Sequence, residues 1–343
     1  MRTFRSGLLI GLAIAVAVAA IAVTYERYDT RTLSRTTKRG EVLCGVNKGL
    51  PGFSIPDDKG NWTGLDVDFC RALAAAIFND PAKVKFTPLS AKDRFEPLKS
   101  GEIDVLARNT TWTSSRDALF SFVAITYYDG QGFMVRKALK VNSALELNGA
   151  SVCTQTGTTT ELNLADYFRA NNMKYEVIAF GSADETVKAY EAGRCDAFTT
   201  DMSQLYAERL KLANLNDHVI LPEIISKEPL APLVRQGDDQ WFDVVKWVHY
   251  AMLNAEELGV SQKTIGDAQK SNQPEIRRLV GVEGAYGEQL GLANDWVVRI
   301  VKHVGNYGEV YERNLGTGSK LNISRGLNRL WTKGGIQYAP PIR

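Results

Sequence analysis

The sequence predicts an α/β fold built as two similar lobes that face a shared cleft. Apolar runs of strand length alternate with helical runs from Val42 to Asp201, the pattern of a largely parallel sheet flanked by helices. The pattern also recurs: GEIDVLARNTT from Gly101 and GRCDAFTTDMS from Gly193 share a Gly-x-x-Asp start, an apolar strand and a polar exit. A chain of 343 residues is moreover long enough to bury a sizeable core and to divide into two units.

Taken in order, the first segment stands apart. Arg2 and Arg5 precede an unbroken apolar stretch from Gly7 to Val23, with small residues at Ala17, Ala19, Ala20 and Ala22. This is the layout of an export signal, expected over residues 1–25. An uncleaved anchor is the alternative. Both place the folded part outside the cytoplasm.

Residues 26–40 form a polar lead-in, either a short helix or a linker. A strand is expected from Val42 to Val46, then a loop rich in Gly and Pro. Leu65 to Phe78 has helical apolar spacing and stops at Asn79-Asp80-Pro81. Strands follow at Val84–Leu89 and Ile103–Ala107, with a short helix over Asp93–Ser100 between them. The second round runs strand Ala150–Thr154, a helix opened by GTTTE, strand Glu176–Phe180, helix Ala183–Glu191 and strand Cys195–Thr199, ending at Asp201.

Two extended segments, Gln131–Lys137 and Pro229–Arg235, are read as crossings between lobes, and the helical stretch Trp241–Glu257 returns to the first lobe. The division expected is 41–132 for the first lobe, 133–228 for the second, and 229–343 as a return with a C-terminal extension. A double crossing restricts the lobes to hinge closure.

Charge excludes some functions. Lys and Arg number 41 against 39 Asp and Glu, a net of +2, with no basic stripe interleaved with aromatics. That is no nucleic-acid binder's profile. The four cysteines, Cys44, Cys70, Cys153 and Cys195, suit disulfides in an exported chain. Three connectivities are possible. Cys44–Cys70 and Cys153–Cys195 are favoured because each pair then lies inside one lobe; four buried thiols are the alternative. His218, His249 and His303 do not cluster in sequence, so no zinc site is expected. No cofactor is expected either.

The candidate site is the run from Gly101 to Lys137. It holds a buried strand, a Thr-rich polar loop with Arg116, an apolar stretch with Tyr127 and Tyr128, and a second strand. Thr and Asn groups offer hydrogen bonds, and a guanidinium is a two-pronged donor for a carboxylate. No nucleophile with its base appears. The residues imply capture of a small anionic or zwitterionic molecule, at the carboxyl ends of strands. Asp66 and Asp68 read as acids of a helix's first turn. Tyr127 and Tyr128 read as packing near the hinge.

With TTWTSSRDALFSFVAITYY, TQTGTTTE and FTTDMS in view, the chain resembles the periplasmic amino-acid-binding proteins of ABC importers, solute-binding protein family 3. The blocks VGNYGEVYERNLG and RGLNRLWTKGG resemble the long tail of the general L-amino-acid-binding subfamily. The resemblance implies a type II periplasmic-binding-protein fold and a periplasmic receptor. It would bind L-amino acids broadly and deliver them to an ABC permease. A monomer is expected.

Residue by residue, the resemblance implies that Arg116 clamps the ligand α-carboxylate, with Thr111 giving its hydroxyl and amide to the same group. Asn109 would offer its carbonyl to the α-ammonium, and Asp201 would pair with that ammonium. Thr159, beside Thr158, would give a backbone amide at a helix start. Asn47 and Leu50 stand where binders of basic amino acids place an acid and an aromatic, and Gln155 where some relatives carry a charge. The implied side-chain pocket has no fixed charge, hence breadth. Plain alternatives exist: Asp201 as a helix cap and Thr158–Thr160 as a cap cluster. The rival functions are an exported dehydratase-like enzyme on the same fold and a membrane-tethered amino-acid sensor. Trp296 and Trp331 are expected to anchor the tail on the first lobe.

Overall fold

The computed structural model describes residues 31–343, so the expected export signal lies outside the described residues. No helix among them is long and apolar enough to cross a membrane.

Two five-stranded sheets organise the chain. In the first, Val42–Asn47 lies between Val84–Leu89 and Val105–Leu106, all parallel. Leu233–Val234 and Ser121–Phe122 extend it antiparallel. In the second, Ala150–Gln155 lies between Tyr175–Phe180 and Ala197–Asp201, again parallel. Gln131–Arg136 and His218–Ile220 extend that one antiparallel. The same order of strands therefore occurs twice, as the internal repeat predicts.

The first crossing lies earlier than the sequence suggests. Tyr127–Asp129 pairs antiparallel with Glu228–Leu230, Glu228 opposite Asp129, and this two-stranded ribbon joins the sheets. Gln131–Arg136 is an interior strand of the second sheet, between Ala197–Asp201 and His218–Ile220. Its run of Phe133, Met134 and Val135 is fully buried, as a strand covered on both faces must be.

The helix Leu65–Phe78 forms the centre of the first lobe. Its Ala72, Ala74, Ala75 and Ala76 have no exposed surface, and such small side chains let neighbouring helices approach closely. It ends at Asn79, whose φ of 56° is the left-handed cap that Asn tolerates. Trp296–His303, Tyr307–Asn314 and Asp239–Glu257 pack beside it. The lead-in is a helix, Thr32–Arg39, closed by Gly40.

The C-terminal extension packs on this lobe and reaches the hinge. Trp296 is buried. Trp331 is half exposed and makes a hydrogen bond from its indole to Glu257 (3.1 Å), so it is a surface contact more than a core anchor. Arg313 and Asn314 grip Asp68 at 2.8 and 2.6 Å, and Arg325 forks onto Glu256 at 2.6 and 3.1 Å. Farther along, Asn328 accepts from the Tyr128 backbone N–H (2.7 Å) and donates to its carbonyl (3.0 Å). Tyr127 stacks on Tyr311 and meets Phe53 edge-on. Both tyrosines of the hinge therefore serve packing and backbone support.

The cysteines pair as Cys44–Cys70 and Cys153–Cys195, with Cα atoms 6.4 and 5.6 Å apart. The first ties the strand Val42–Asn47 to the helix Leu65–Phe78, and the second ties the strand Ala150–Gln155 to the approach of Ala197–Asp201. By loop length each stabilises the fold by about 3–4 kcal/mol. Replacing Cys153 and Cys195 together by Ala is expected to lower the urea midpoint of unfolding. An unchanged midpoint would show that the bridge contributes little.

Candidate ligand-binding site

Polar strand exits from both sheets converge where the sequence places them. A cavity of about 20 Å³ lies between Arg94, Arg108, Asn109 and Thr111 of the first lobe and Gln155, Thr158, Thr159, Thr160, Thr200, Asp201 and Gln204 of the second. Space on that scale holds about one water. The lobes are thus in contact. Lys211 reaches across to the Gly49 carbonyl (3.1 Å), and a Cβ on Gly157 would stand 3.3 Å from the Lys92 Cα. A solute of amino-acid size enters only if the lobes part.

Six of the eight predicted residues line this cavity. The other two stand one layer back. Asn47 donates from its amide to the Asn109 side-chain carbonyl (3.0 Å). Arg116 donates from Nη1 to the Thr111 backbone carbonyl (2.9 Å) and lies over the Phe95 ring. Thr113 caps the short helix that carries it. Burial holds the Arg116 pKa below its usual range, with Glu228 and Asp201 opposing that shift.

Asn109 has a φ of 32°, a region costly for most residues and tolerated by Asn. The Asp66 carboxylate fixes this turn by accepting the Asn109 N–H (2.9 Å). Asp66 is thus more than a first-turn acid. Burial pushes its pKa up to about 7, and the Asn109 bond and the charge of Arg108 act the other way.

Thr158 begins the helix Thr159–Ala170 by backbone geometry, but its hydroxyl caps no helical N–H. It donates instead to the Gln155 carbonyl (2.7 Å). Asp201 likewise ends its strand where the helix Met202–Arg209 begins, and its side chain makes no capping bond. The plain capping readings therefore describe the backbone and not these side chains. The Asp201 carboxyl lines the cavity, nearly without solvent. Burial pushes its pKa well up, and the charges of Asp129 and Glu228 push it further; Arg94 and Arg116 pull it back.

Three side chains escaped the sequence reading. Arg94 is 3% exposed, its Nε has no hydrogen-bond partner among the described residues, and its guanidinium lies over Phe95. Burial lowers its pKa, and the charges of Arg108 and Arg116 lower it further. Arg108 is buried too and donates from Nε to the Leu89 carbonyl (3.0 Å). Burial brings it down to about 10. The cavity wall therefore carries two guanidinium groups beside the uncharged Gln155 and threonines. The third is Glu228 on the crossing ribbon. It is buried and accepts from Thr111 Oγ1 (2.5 Å), Thr159 Oγ1 (2.8 Å), Asn163 Nδ2 (2.6 Å) and Ser226 Oγ (2.7 Å).

Known proteins match this chain in sequence and fold. The family model for bacterial extracellular solute-binding proteins, family 3, matches residues 42–265. The general L-amino acid-binding periplasmic protein AapJ of Rhizobium johnstonii is 58% identical over 97% of this chain and 98% of its own. The glutamate/glutamine/aspartate/asparagine-binding protein BztA of Rhodobacter capsulatus is 51% identical over 95% of this chain and 97% of its own. A solved ABC transporter periplasmic binding protein from Brucella ovis, with glutathione bound, superposes with a TM-score of 0.90 at 59% identity, covering 92% of this chain and all of that one. The chain belongs to the bacterial extracellular solute-binding proteins, family 3.

Proposed function

We propose that this protein is a periplasmic receptor that captures L-amino acids between its lobes and hands them to an ABC permease. Its range would include acidic and amide side chains. The observation that carries the reading is the two-sided cavity, with guanidinium groups on one wall and the Asp201 carboxyl on the other. A zwitterion needs both signs of charge in fixed positions, and its carboxylate suits arginine.

In this reading Arg116 takes the α-carboxylate with the backbone around Thr111 and Thr159. Asp201 takes the α-ammonium. Arg94 and Arg108 meet the side chain. A buried guanidinium without a hydrogen-bond partner for its Nε is costly, and a carboxylate or carboxamide on the ligand would supply one. The relatives agree in kind: one is named for glutamate, glutamine, aspartate and asparagine, and the Brucella protein holds glutathione. Contacts from both lobes favour the closed form, since only differential binding shifts the equilibrium. The lobes would divide at the crossing ribbon. The close relatives are named as binding proteins, which supports a receptor over an enzyme.

Isothermal titration of the refolded protein against the twenty L-amino acids tests this. Binding of several, acids and amides included, is expected; binding of none would overturn the reading. Arg94→Met is expected to weaken glutamate more than alanine. The same change should raise Tm, because it removes a desolvated charge. Equal weakening of both ligands would remove Arg94 from the side-chain pocket.

A further inference from the structure

We propose that Glu228 is a positioning residue of the ligand site, one that claims the hydroxyl protons of Thr111 and Thr159 so that both threonines face the cleft as acceptors. The inference rests on the amino-acid-receptor reading above and adds a residue to it.

Glu228 sits where both lobes and the crossing ribbon meet. Thr111 belongs to the first lobe, Thr159 and Asn163 to the second, and Ser226 lies on the approach to the ribbon. All four donate to one carboxylate. The amide of Asn163 has only protons to offer there, and a carboxylate takes two donors on each oxygen without strain. The charged groups near it are Arg116, Asp129 and Asp201.

A threonine hydroxyl has one proton and two lone pairs. The Thr111 and Thr159 oxygens are 3.3 Å apart and both bond the same Glu228 oxygen. Their protons are therefore spent on Glu228, and neither hydroxyl is left to donate to a ligand carboxylate. Lone pairs remain for a ligand donor, which in an amino acid is the α-ammonium. The carboxylate is left to arginine and backbone N–H groups. The hydroxyl role that the family resemblance gives Thr111 is thus reversed, while its amide role stands.

The arrangement has a second effect. Parting the lobes separates Thr111 from Thr159, so at least one of the two bonds to Glu228 is lost on opening. The site's acceptors are assembled only in the closed form.

The test compares L-glutamate with L-2-hydroxyglutarate, which replaces the ammonium by a hydroxyl. In Glu228→Gln the new amide donates to one threonine and turns its proton toward the cleft. L-glutamate affinity is expected to fall roughly 10–100-fold, the scale of a hydrogen bond to a charged group, and the preference for glutamate over its hydroxy analogue should shrink. Thr159→Val removes one acceptor and one of the four donors to Glu228 while leaving the carboxylate itself in place, and should shrink the same ratio. A purely structural clasp would weaken both ligands equally; an unchanged ratio in both variants overturns the proposal. Failure of wild-type protein to bind any amino acid would instead overturn the receptor reading.

Discussion

Arg116→Ala is expected to abolish tight binding of every amino acid, whatever its side chain. The α-carboxylate would be desolvated between the lobes with its main charge partner gone. Removing one member of a buried ion pair costs about 3–5 kcal/mol, which is roughly a hundredfold to several thousandfold in affinity. Part of the loss is indirect. Arg116 Nη1 supports the Thr111 carbonyl, so the loop carrying Thr111 and Asn109 would loosen as well. Arg116→Lys keeps the charge but loses the planar fork, and should fall between the two. The measurement is titration with a panel of ligands. A loss confined to acidic ligands would move Arg116 into the side-chain pocket, and affinity equal to wild type would remove it from the site.

Asp201 should have the second largest effect, and a pH signature of its own. Burial and two neighbouring acids raise its pKa in the closed site. An arriving ammonium favours the carboxylate and pulls that pKa down, so binding releases a proton. The sign follows: affinity rises as pH rises through the raised pKa, and weakens in acid as the carboxyl protonates. Asp129 lies in the same buried group, at about 7, and releases protons in the same direction. Titration in two buffers of different ionisation enthalpy counts the protons. In Asp201→Asn the affinity should drop by about two orders of magnitude, the scale of a buried charged pair losing one member, and proton release should diminish. Full proton release in that variant would assign the effect to Asp129 instead.

Much of this site was legible because its residues lie at strand exits, and strand exits are local patterns. The repeat of Gly-x-x-Asp, apolar strand and polar end marked the two strand exits, and the family resemblance picked Asn109, Thr111 and Asp201 out of them. Four cysteines with two in each lobe gave the bridges by the same local logic. Arg94 was hidden because DRFEPLKS reads as a polar surface helix, and nothing local says that its first turn is sealed by the other lobe. Glu228 was hidden beside Lys227 in a segment that reads as ordinary loop. A usable signal was present: an acid directly before the extended apolar run PLAPLV cannot stay in solvent if that run crosses between lobes. Gln131–Arg136 was misplaced because an extended apolar segment is equally a linker or an interior strand until its pairing partners are known.

The tail bears on how the protein could be shortened. The family match ends at residue 265, yet Asn328, well beyond it, completes both backbone hydrogen bonds of Tyr128 on the crossing ribbon. Tyr307 and Gln337 hold the carbonyls just before it. A chain cut back to the family's common length would leave the pivot with open polar groups and no bearing surface. In this protein the last eighty or so residues therefore back the crossing ribbon, the joint about which the proposed closure would turn, and none of them lines the candidate cavity.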